Sequence, residues 1–465
     1  MYTQDTICAV ATAQGGAIGI IRVSGPDAIT LADRIFSPAN QGALPLSGRK
    51  PYTLTFGTIR GEGGEIVDEV LVSLFHAPHS YTGEDSVEIS CHGSSYILQQ
   101  VMQLFIRNGC RAAGPGEFTQ RAFLNGKMDL SQAEAVADLI ASSSAATHRL
   151  AMNQMKGGFS KELAALREKL LHLTSLMELE LDFSDHEELE FADRSELKAI
   201  AAQIEQVIGG LVRSFSTGNA IKNGIPVAII GETNAGKSTL LNALLNEERA
   251  IVSDIHGTTR DVIEDTMNIG GVTFRFIDTA GIRETSDTIE SLGIERSFQK
   301  LEQADIVLWV IDRSAPHPDF ARLSGQILPR CAGKHLIVVW NKADLSGTDA
   351  AASLKEVLPQ AEMISISAKA RTGIRELQDM LLRAADIPEI TQSNVIVTNV
   401  RHYEALSKAL EAIHRVQEGM DMGLSGDLVS QDLRECLFHL AEIVGGEITT
   451  DEVLGNIFKH FCVGK

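Results

Sequence analysis

A chain of 465 residues with 44% apolar and 22% charged side chains is too long for one ordinary core, and two to four domains are expected. Its formal net charge of −20 argues against a general nucleic-acid coat, which needs concentrated lysine and arginine, so any RNA contact is expected to be local or made through a partner. No apolar run approaches the roughly 20 residues that span a bilayer. The opening MYTQDTICAVATAQGGAIGII carries Asp5 and no basic residue before its apolar stretch, which argues against a leader peptide, and the six cysteines form no C-x-x-C pair. A cytoplasmic protein with reduced thiols and no membrane contact is therefore expected.

The first 125 or so residues read as mixed α/β, with strands at Ile18–Gly25 and Ile66–Phe75 punctuated by glycine and proline. The glycines of TAQGGAIGI lack dinucleotide-fingerprint spacing and read as a turn. His76, His79, Cys91 and His92 raise the question of zinc, but Cys91 and His92 would face opposite sides of one strand, so no zinc site is expected. From Lys127 to about Gly218 the pattern is helical. Ser131 and Glu134 have capping-box spacing ahead of Val136, Leu139 and Ile140, and Leu163, Leu166, Leu170, Leu173 and Met177 step by three and four. The acidic run DFSDHEELEF reads as a solvated helix end and turn.

From about Lys222 to Ala385 the order becomes strand, loop, helix, repeated. PVAIIG, FRFIDTAG, DIVLWVID, HLIVVWNKAD and EMISISA supply buried strands for a parallel sheet wound on both faces. After Pro388 helical stripes return at Leu406, Leu410 and Ile413 and at Leu433, Leu437 and Leu440, and Thr449–Glu452 would cap a last helix. Helical segments flank the α/β unit, which implies a multidomain α/β plus all-α protein with one α/β domain inserted into a helical one.

Gly231-Glu-Thr-Asn-Ala-Gly-Lys-Ser238 satisfies G-x-x-x-x-G-K-[ST] between an apolar run and TLLNALL, the strand–loop–helix setting of a phosphate loop. Its glycines let backbone N–H groups wrap phosphates, Lys237 would contact the β- and γ-phosphates, and Ser238 would ligate Mg²⁺. Asn341-Lys-Ala-Asp344 ends a strand at the sheet's ligand edge, and a carboxylate there accepts from guanine's ring N–H and exocyclic amine together. Ser367-Ala-Lys369 follows another strand as a second base loop. With Asp278-x-x-Gly281 between them, this order indicates GTP. Thr258 and Thr259 sit where a switch segment offers a hydroxyl to Mg²⁺, Asp278 would hold that ion through water, and the Gly281 N–H would face the γ-phosphate.

Signalling GTPases follow that glycine with a glutamine that orients water, and here the residue is Ile282. A monovalent cation on the amide oxygen of Asn234 and on carbonyls around Ser253–Thr258 would stand in for an arginine finger, worth about 10³–10⁵ in rate where one is used. Glu284, Asp287 and Glu290 are all candidates to position water, and the residues alone leave that choice open.

The whole chain resembles the MnmE (TrmE) family of potassium-activated tRNA modification GTPases. The resemblance runs through DTICAVAT, PGEFTQRAFLNGKMDLSQAEAVADLI, GETNAGKST, DIHGTTRD, DTAGIRETSDTIESLGIERS and NKAD to LGNIFKHFCVGK. It implies an N-terminal folate-binding and dimerisation α/β domain over 1–125, helical parts over 126–221 and 386–465, and an inserted Ras-like doubly wound P-loop GTPase domain over 222–385. Implied nucleotide contacts are Asn234, Ala235, Gly236, Lys237, Ser238 and Thr239; Ser253, Asp254, Ile255, His256, Gly257, Thr258 and Thr259; Asp278, Thr279, Ala280 and Gly281; and Asn341, Lys342, Asp344, Ser367, Ala368 and Lys369. Mg²⁺ falls on Ser238 and Thr259, and K⁺ on Asn234, Ser253, Ile255 and Thr258. Glu290 becomes the acid that positions water.

The resemblance also implies a site for 5,10-methylenetetrahydrofolate or 5-formyltetrahydrofolate at Arg22, Glu88, Lys127 and Lys465. Its other implications are a homodimer, a heterotetramer with the FAD-dependent partner MnmG, and carboxymethylaminomethyl or aminomethyl transfer to C5 of the wobble uridine of certain tRNAs. Cys462 would be a nucleophile toward C6 of that uridine, an inert core thiol being the alternative. A ribosome-assembly or regulatory switch GTPase remains the competing reading.

Overall fold

The computed structural model describes residues 5–13, 15–40, 42, 44–182, 194–232, 234–246, 265–277, 301–314, 324–325, 327–345, 361–387, 395–446, 457–458, 461 and 464. The chain forms two compact units, one of residues 1–141, 152–209 and 404–465, the other of 142–151 and 210–403.

The first unit opens with a seven-stranded sheet of β1 (Ile7–Val10), β2 (Ile18–Ser24), β3 (Phe36–Pro38), β4 (Leu54–Arg60), β5 (Ile66–Phe75), β6 (Ser86–His92) and β7 (Arg111–Ala112), in the order β3-β4-β5-β6-β2-β1-β7. Only β1 and β7 pair in parallel. Ile21, Val23, Val70, Val72, Val87 and Ile89 alternate inward along their strands. They join Leu98, Val101 and Phe105 of α2 (Ser95–Arg107) and the apolar face of α1 (Ala28–Ile35) in one core. Within TAQGGAIGI, residues 15–17 form a turn and bend that lead into β2, which begins at Ile18.

After α3 (Glu117–Leu124) come α4 (Leu130–Ala141), α5 (Ala145–Met155), α6 (Gly158–Asp182) and α7 (Arg194–Asn223). The cap of α4 lies two residues earlier than the spacing of Ser131 and Glu134 suggests. Asp129 Oδ1 accepts the Gln132 N–H at 2.9 Å while Gln132 Oε1 accepts the Asp129 N–H at 3.0 Å, a reciprocal box of D-x-x-Q form. Ser131 and Glu134 are instead buried within the helix. Leu163, Leu166, Leu170, Leu173 and Met177 are all buried on one stripe of α6.

The second unit carries a six-stranded sheet: β8 (Ile225–Ile230), β9 (Asp265–Ile269), β10 (Val272–Phe276), β11 (Ile306–Asp312), β12 (His335–Asn341) and β13 (Glu362–Ser365), ordered β13-β12-β11-β8-β10-β9. Val227, Ile229, Leu308, Val310 and Val339 face Leu240 and Leu244 of α8 (Lys237–Asn246) and Leu377 and Leu381 of α9 (Ile374–Ala384). Ala228, Ile230, Val307, Trp309, Val338 and Trp340 face a second core with Leu301 and Cys331. Burial on both faces is why these strands read as continuous apolar runs. The sheet is not wholly parallel: β9 pairs antiparallel with β10 across Gly270-Gly271, both at positive φ. Its sequence DTMNI is too polar to read as a buried strand.

The chain then forms α10 (Val400–Asp421) and α11 (Gly426–Val444), and α11 packs along α6. No described helix is long and apolar enough to cross a membrane.

Candidate functional site

β8 feeds the phosphate loop and α8 leaves it. Asn234 takes a left-handed backbone conformation at φ +64° and Gly236 one at φ +93°. A Cβ on Gly236 would run into Nδ2 of Asn341, so this position combines a conformation and a close approach that only glycine tolerates. Ser238 and Thr239 fall in the first turn of α8, at the positive end of the helix dipole. Lys237 Nζ lies 2.7 Å from both the Gly231 and Glu232 carbonyl oxygens and so folds back over its own loop.

The base loops meet that loop through Asn341. This buried side chain donates from Nδ2 to the Ala235 carbonyl at 2.9 Å and accepts from the Ala368 N–H on Oδ1 at 3.0 Å. Asp344 accepts from Ser367 Oγ at 2.5 Å, a bond that holds its carboxyl below the ordinary range. Ser367 in turn accepts from the Ala370 N–H at 3.1 Å. Lys342 (φ +65°) places Nζ 2.6 Å from Asp312 Oδ2 at the end of β11. Burial pushes the Asp312 carboxyl up, but hydrogen bonds from Lys342 and Ser314 outweigh it and leave the group low. Lys369 is exposed beside these residues.

The segments Ser253–Thr259, Asp278–Gly281 and Ile282–Glu290 lie outside the described residues, as do Thr449–Glu452, Cys462 and Lys465.

In the first unit Arg22 and Glu88 are cross-strand partners on β2 and β6, with Arg22 Nε 2.9 Å and Nη2 2.8 Å from Glu88 Oε1. The guanidinium lies over the rings of Tyr81 at 5.3 Å and Phe118 at 5.7 Å, and Nη1 donates to the Gly464 carbonyl at 3.3 Å. Gly464 (φ +93°) is buried so tightly that a Cβ would meet the Val10 carbonyl, and it is the neighbour in sequence of Lys465. Lys127 Nζ donates to the Pro78 carbonyl at 2.8 Å, with its stem against Gly83. Lys127 thus packs on the 76–85 segment, which also carries Tyr81.

Sequence reasoning missed the group that fixes this segment. Arg121, 2% exposed, donates to Glu84 at 3.2 Å, to Asp5 Oδ1 at 2.7 Å and to Glu117 at 3.1 Å. Tyr81 Oη and Thr119 Oγ1 are 2.9 Å apart, and burial raises the Tyr81 phenol. Asp5 is desolvated, which alone would raise its carboxyl; hydrogen bonds from Arg111 and Arg121 take it down to about 2. One signal was legible: a lone arginine between Phe118, Ala122 and the other apolar positions of EFTQRAFL.

Cys91 and His92 do diverge. Cys91 points Sγ at the Gly19 carbonyl, 3.4 Å away, and burial and then Asp68 push its thiol up to about 11. His92 is exposed, with Nδ1 2.7 Å from Asp68 Oδ1. Among the described residues no three His, Cys, Asp or Glu side chains gather in a way that could hold a metal ion.

A phosphate loop between strand and helix, joined by a buried asparagine to base loops at the edge of a doubly wound sheet, defines a P-loop GTPase. The family model described as GTP-binding protein TrmE N-terminus matches residues 6–127, and that of the MnmE helical domain matches residues 130–462. The tRNA modification GTPase MnmE of Bacteroides thetaiotaomicron is 70% identical across 99% of this chain and 100% of its own length. The proteins of that name from Phocaeicola vulgatus and Christiangramia forsetii are 64% and 52% identical, each across 100% of both chains. The chain belongs to the MnmE family of tRNA modification GTPases.

Proposed function

We propose that this chain is a potassium-dependent GTP hydrolase of the cytoplasm. With a FAD-carrying MnmG partner it would add a carboxymethylaminomethyl or aminomethyl group to C5 of the wobble uridine (position 34) of certain tRNAs. The observation that carries the nucleotide part is the double hydrogen bond of Asn341 to Ala235 and Ala368, which ties the phosphate loop to the base loops.

On this reading the chain divides into a folate-binding and dimerisation domain (1–125), two helical parts (126–221 and 386–465) and a GTPase domain (222–385). Asp344 accepts from the guanine edge. The N-terminus of α8, with Ser238 and Thr239 in its first turn, faces phosphate, and Lys237 exchanges its two loop carbonyls for phosphate oxygens. Glu290 orients the attacking water. Cys462 adds to C6 of the uridine, which activates C5, and a Cys462→Ser variant tests that role separately.

The donor chemistry suits both ions. A hard divalent cation takes hydroxyl oxygens such as those of Ser238 and Thr259. A potassium ion takes neutral oxygens, which the Asn234 amide and the backbone of Ser253, Ile255 and Thr258 supply. When bound, K⁺ contributes the fixed positive charge that an arginine finger contributes elsewhere.

For the folate, Glu88 offers a carboxylate to an amino-pyrimidine edge, while Arg22, Lys127 and Lys465 offer cations to a glutamyl tail. The contact between Arg22 and Gly464 supports grouping the chain end with these residues. A homodimer finds support in Phe56 and Leu71, exposed cross-strand partners that with exposed Leu54 make an apolar stretch on the sheet. The net charge of −20 fits a complex in which the partner supplies the basic RNA-binding face.

The test is nucleoside analysis of tRNA from cells lacking this chain. Loss of the modified wobble uridine, restored by the wild-type chain and not by Lys237→Ala, is the expected result. Unchanged wobble nucleosides would make the chain a ribosome-assembly or switch GTPase instead.

A further inference from the structure

The Asn341–Asp344 loop contains one side chain whose work is not explained by the contacts of Asn341 and Asp344. Lys342 leaves the backbone in a left-handed conformation (φ +65°), and the Leu345 N–H donates to its carbonyl at 3.0 Å, so the base of the side chain is set by a turn. The far end is set as well, with Nζ 2.6 Å from Asp312 Oδ2.

Asp312 is itself anchored. It closes β11 opposite Asn341 in the parallel ladder, and the Arg313 N–H extends that pairing by donating to the Asn341 carbonyl at 3.1 Å. Its other oxygen, Oδ1, accepts from the Ser314 N–H at 2.8 Å and from Ser314 Oγ at 2.6 Å. One carboxylate oxygen is committed to a local turn and the other to Lys342. A lysine stem is ordinarily the most mobile part of a loop, and burying or fixing it costs rotamer freedom. Here the turn has already immobilised the anion, so the stem is held at both ends before any ligand arrives.

We infer that Asp312 is a positioning residue for base recognition. It stretches Lys342 so that the methylene stem forms an apolar wall of the slot for a flat guanine ring, beside the carboxylate of Asp344. The inference rests on the guanine reading of the Asn341–Asp344 loop. Dispersion along a fixed stem is collectively significant, whereas a free stem must first be ordered.

The experiment is equilibrium titration and dissociation kinetics of a fluorescent GDP analogue on the full chain, for wild type, Asp312→Asn, Asp312→Glu, Lys342→Ala and the Asp312→Asn/Lys342→Ala pair. Asp312→Asn keeps both Ser314 contacts possible and removes only the charge that holds Nζ. It is expected to weaken binding about tenfold, the effect of losing one charge-assisted bond, through faster dissociation. Asp312→Glu is expected to recover part of that loss, and the double variant to bind no more weakly than Lys342→Ala alone.

A purely structural ion pair would instead lower the melting temperature without changing dissociation. Asp312→Asn binding within about twofold of wild type, or losses that simply add in the double variant, would overturn the inference. Failure of the guanine reading looks different: wild type would then bind an adenine analogue as well as the guanine one, whatever stands at position 312.

Discussion

Asn341 Nδ2 lies 2.9 Å from the Ala235 carbonyl while its Oδ1 receives the Ala368 N–H at 3.0 Å, so one buried amide spans loops more than 100 residues apart in sequence. Both bonds are made where water cannot substitute. Asn341→Ala leaves a buried carbonyl and a buried N–H without partners, a cost of about 1–3 kcal/mol each. Guanine-nucleotide affinity in fluorescence titration is expected to fall at least tenfold, and the second unit should melt earlier even without nucleotide. Unchanged affinity would show that the two loops do not depend on this link.

Gly236→Ala tests the same junction from the other side. The added Cβ meets the Asn341 amide, and the backbone at φ +93° disfavours any L side chain. Backbone strain alone costs about 1–3 kcal/mol. We expect nucleotide binding to be lost while the first unit keeps its own unfolding transition in calorimetry.

Much of this arrangement was legible in the sequence, for stated reasons. Strands buried on both faces announce themselves as apolar runs, which is why VAII, IVLWVI and LIVVW were readable, and a glycine-rich loop followed by lysine and an apolar helix leaves few alternatives. Strand β9 was not, because DTMNI sits at the sheet edge and alternates polar with apolar residues. The cap of α4 was displaced by two residues because Asp129 and Ser131 both have partners at the right spacing, and only packing decides that Ser131 goes inside. The Arg121 cluster was hidden for a more general reason. Its carboxylates come from positions 5, 84 and 117, and tertiary contact between distant charges leaves no periodic mark.

That cluster makes a pH prediction. The carboxyl of Asp5 is depressed to about 2 in the folded chain, so its contribution to stability is present above the unfolded-state value near 3.8 and is lost as pH falls toward 2. Asp5→Asn should therefore melt below wild type at pH 7, by about 2–4 °C per kcal/mol lost, and the gap should close between pH 4 and pH 2. A gap that stays constant over that range would mean Asp5 acts through packing rather than charge.

Gly464→Ala should act on the N-terminal cluster without touching any charged residue. A Cβ there collides with the Val10 carbonyl, so the chain end leaves its seat and Arg22 loses the Gly464 carbonyl. Calorimetric titration with 5-formyltetrahydrofolate is expected to show affinity reduced to the level of a variant lacking Lys465. Wild-type affinity in Gly464→Ala would detach the tail from the folate proposal.

The central claim is that a cation on Asn234, with Glu290, does what glutamine does in signalling GTPases. It is tested most directly by measuring GTP hydrolysis of the purified chain in KCl and in NaCl at equal ionic strength, beside Asn234→Ala. The account predicts strong stimulation by K⁺ that disappears in the variant. Equal rates in the two salts would contradict it and leave Ile282 compensated by some other group.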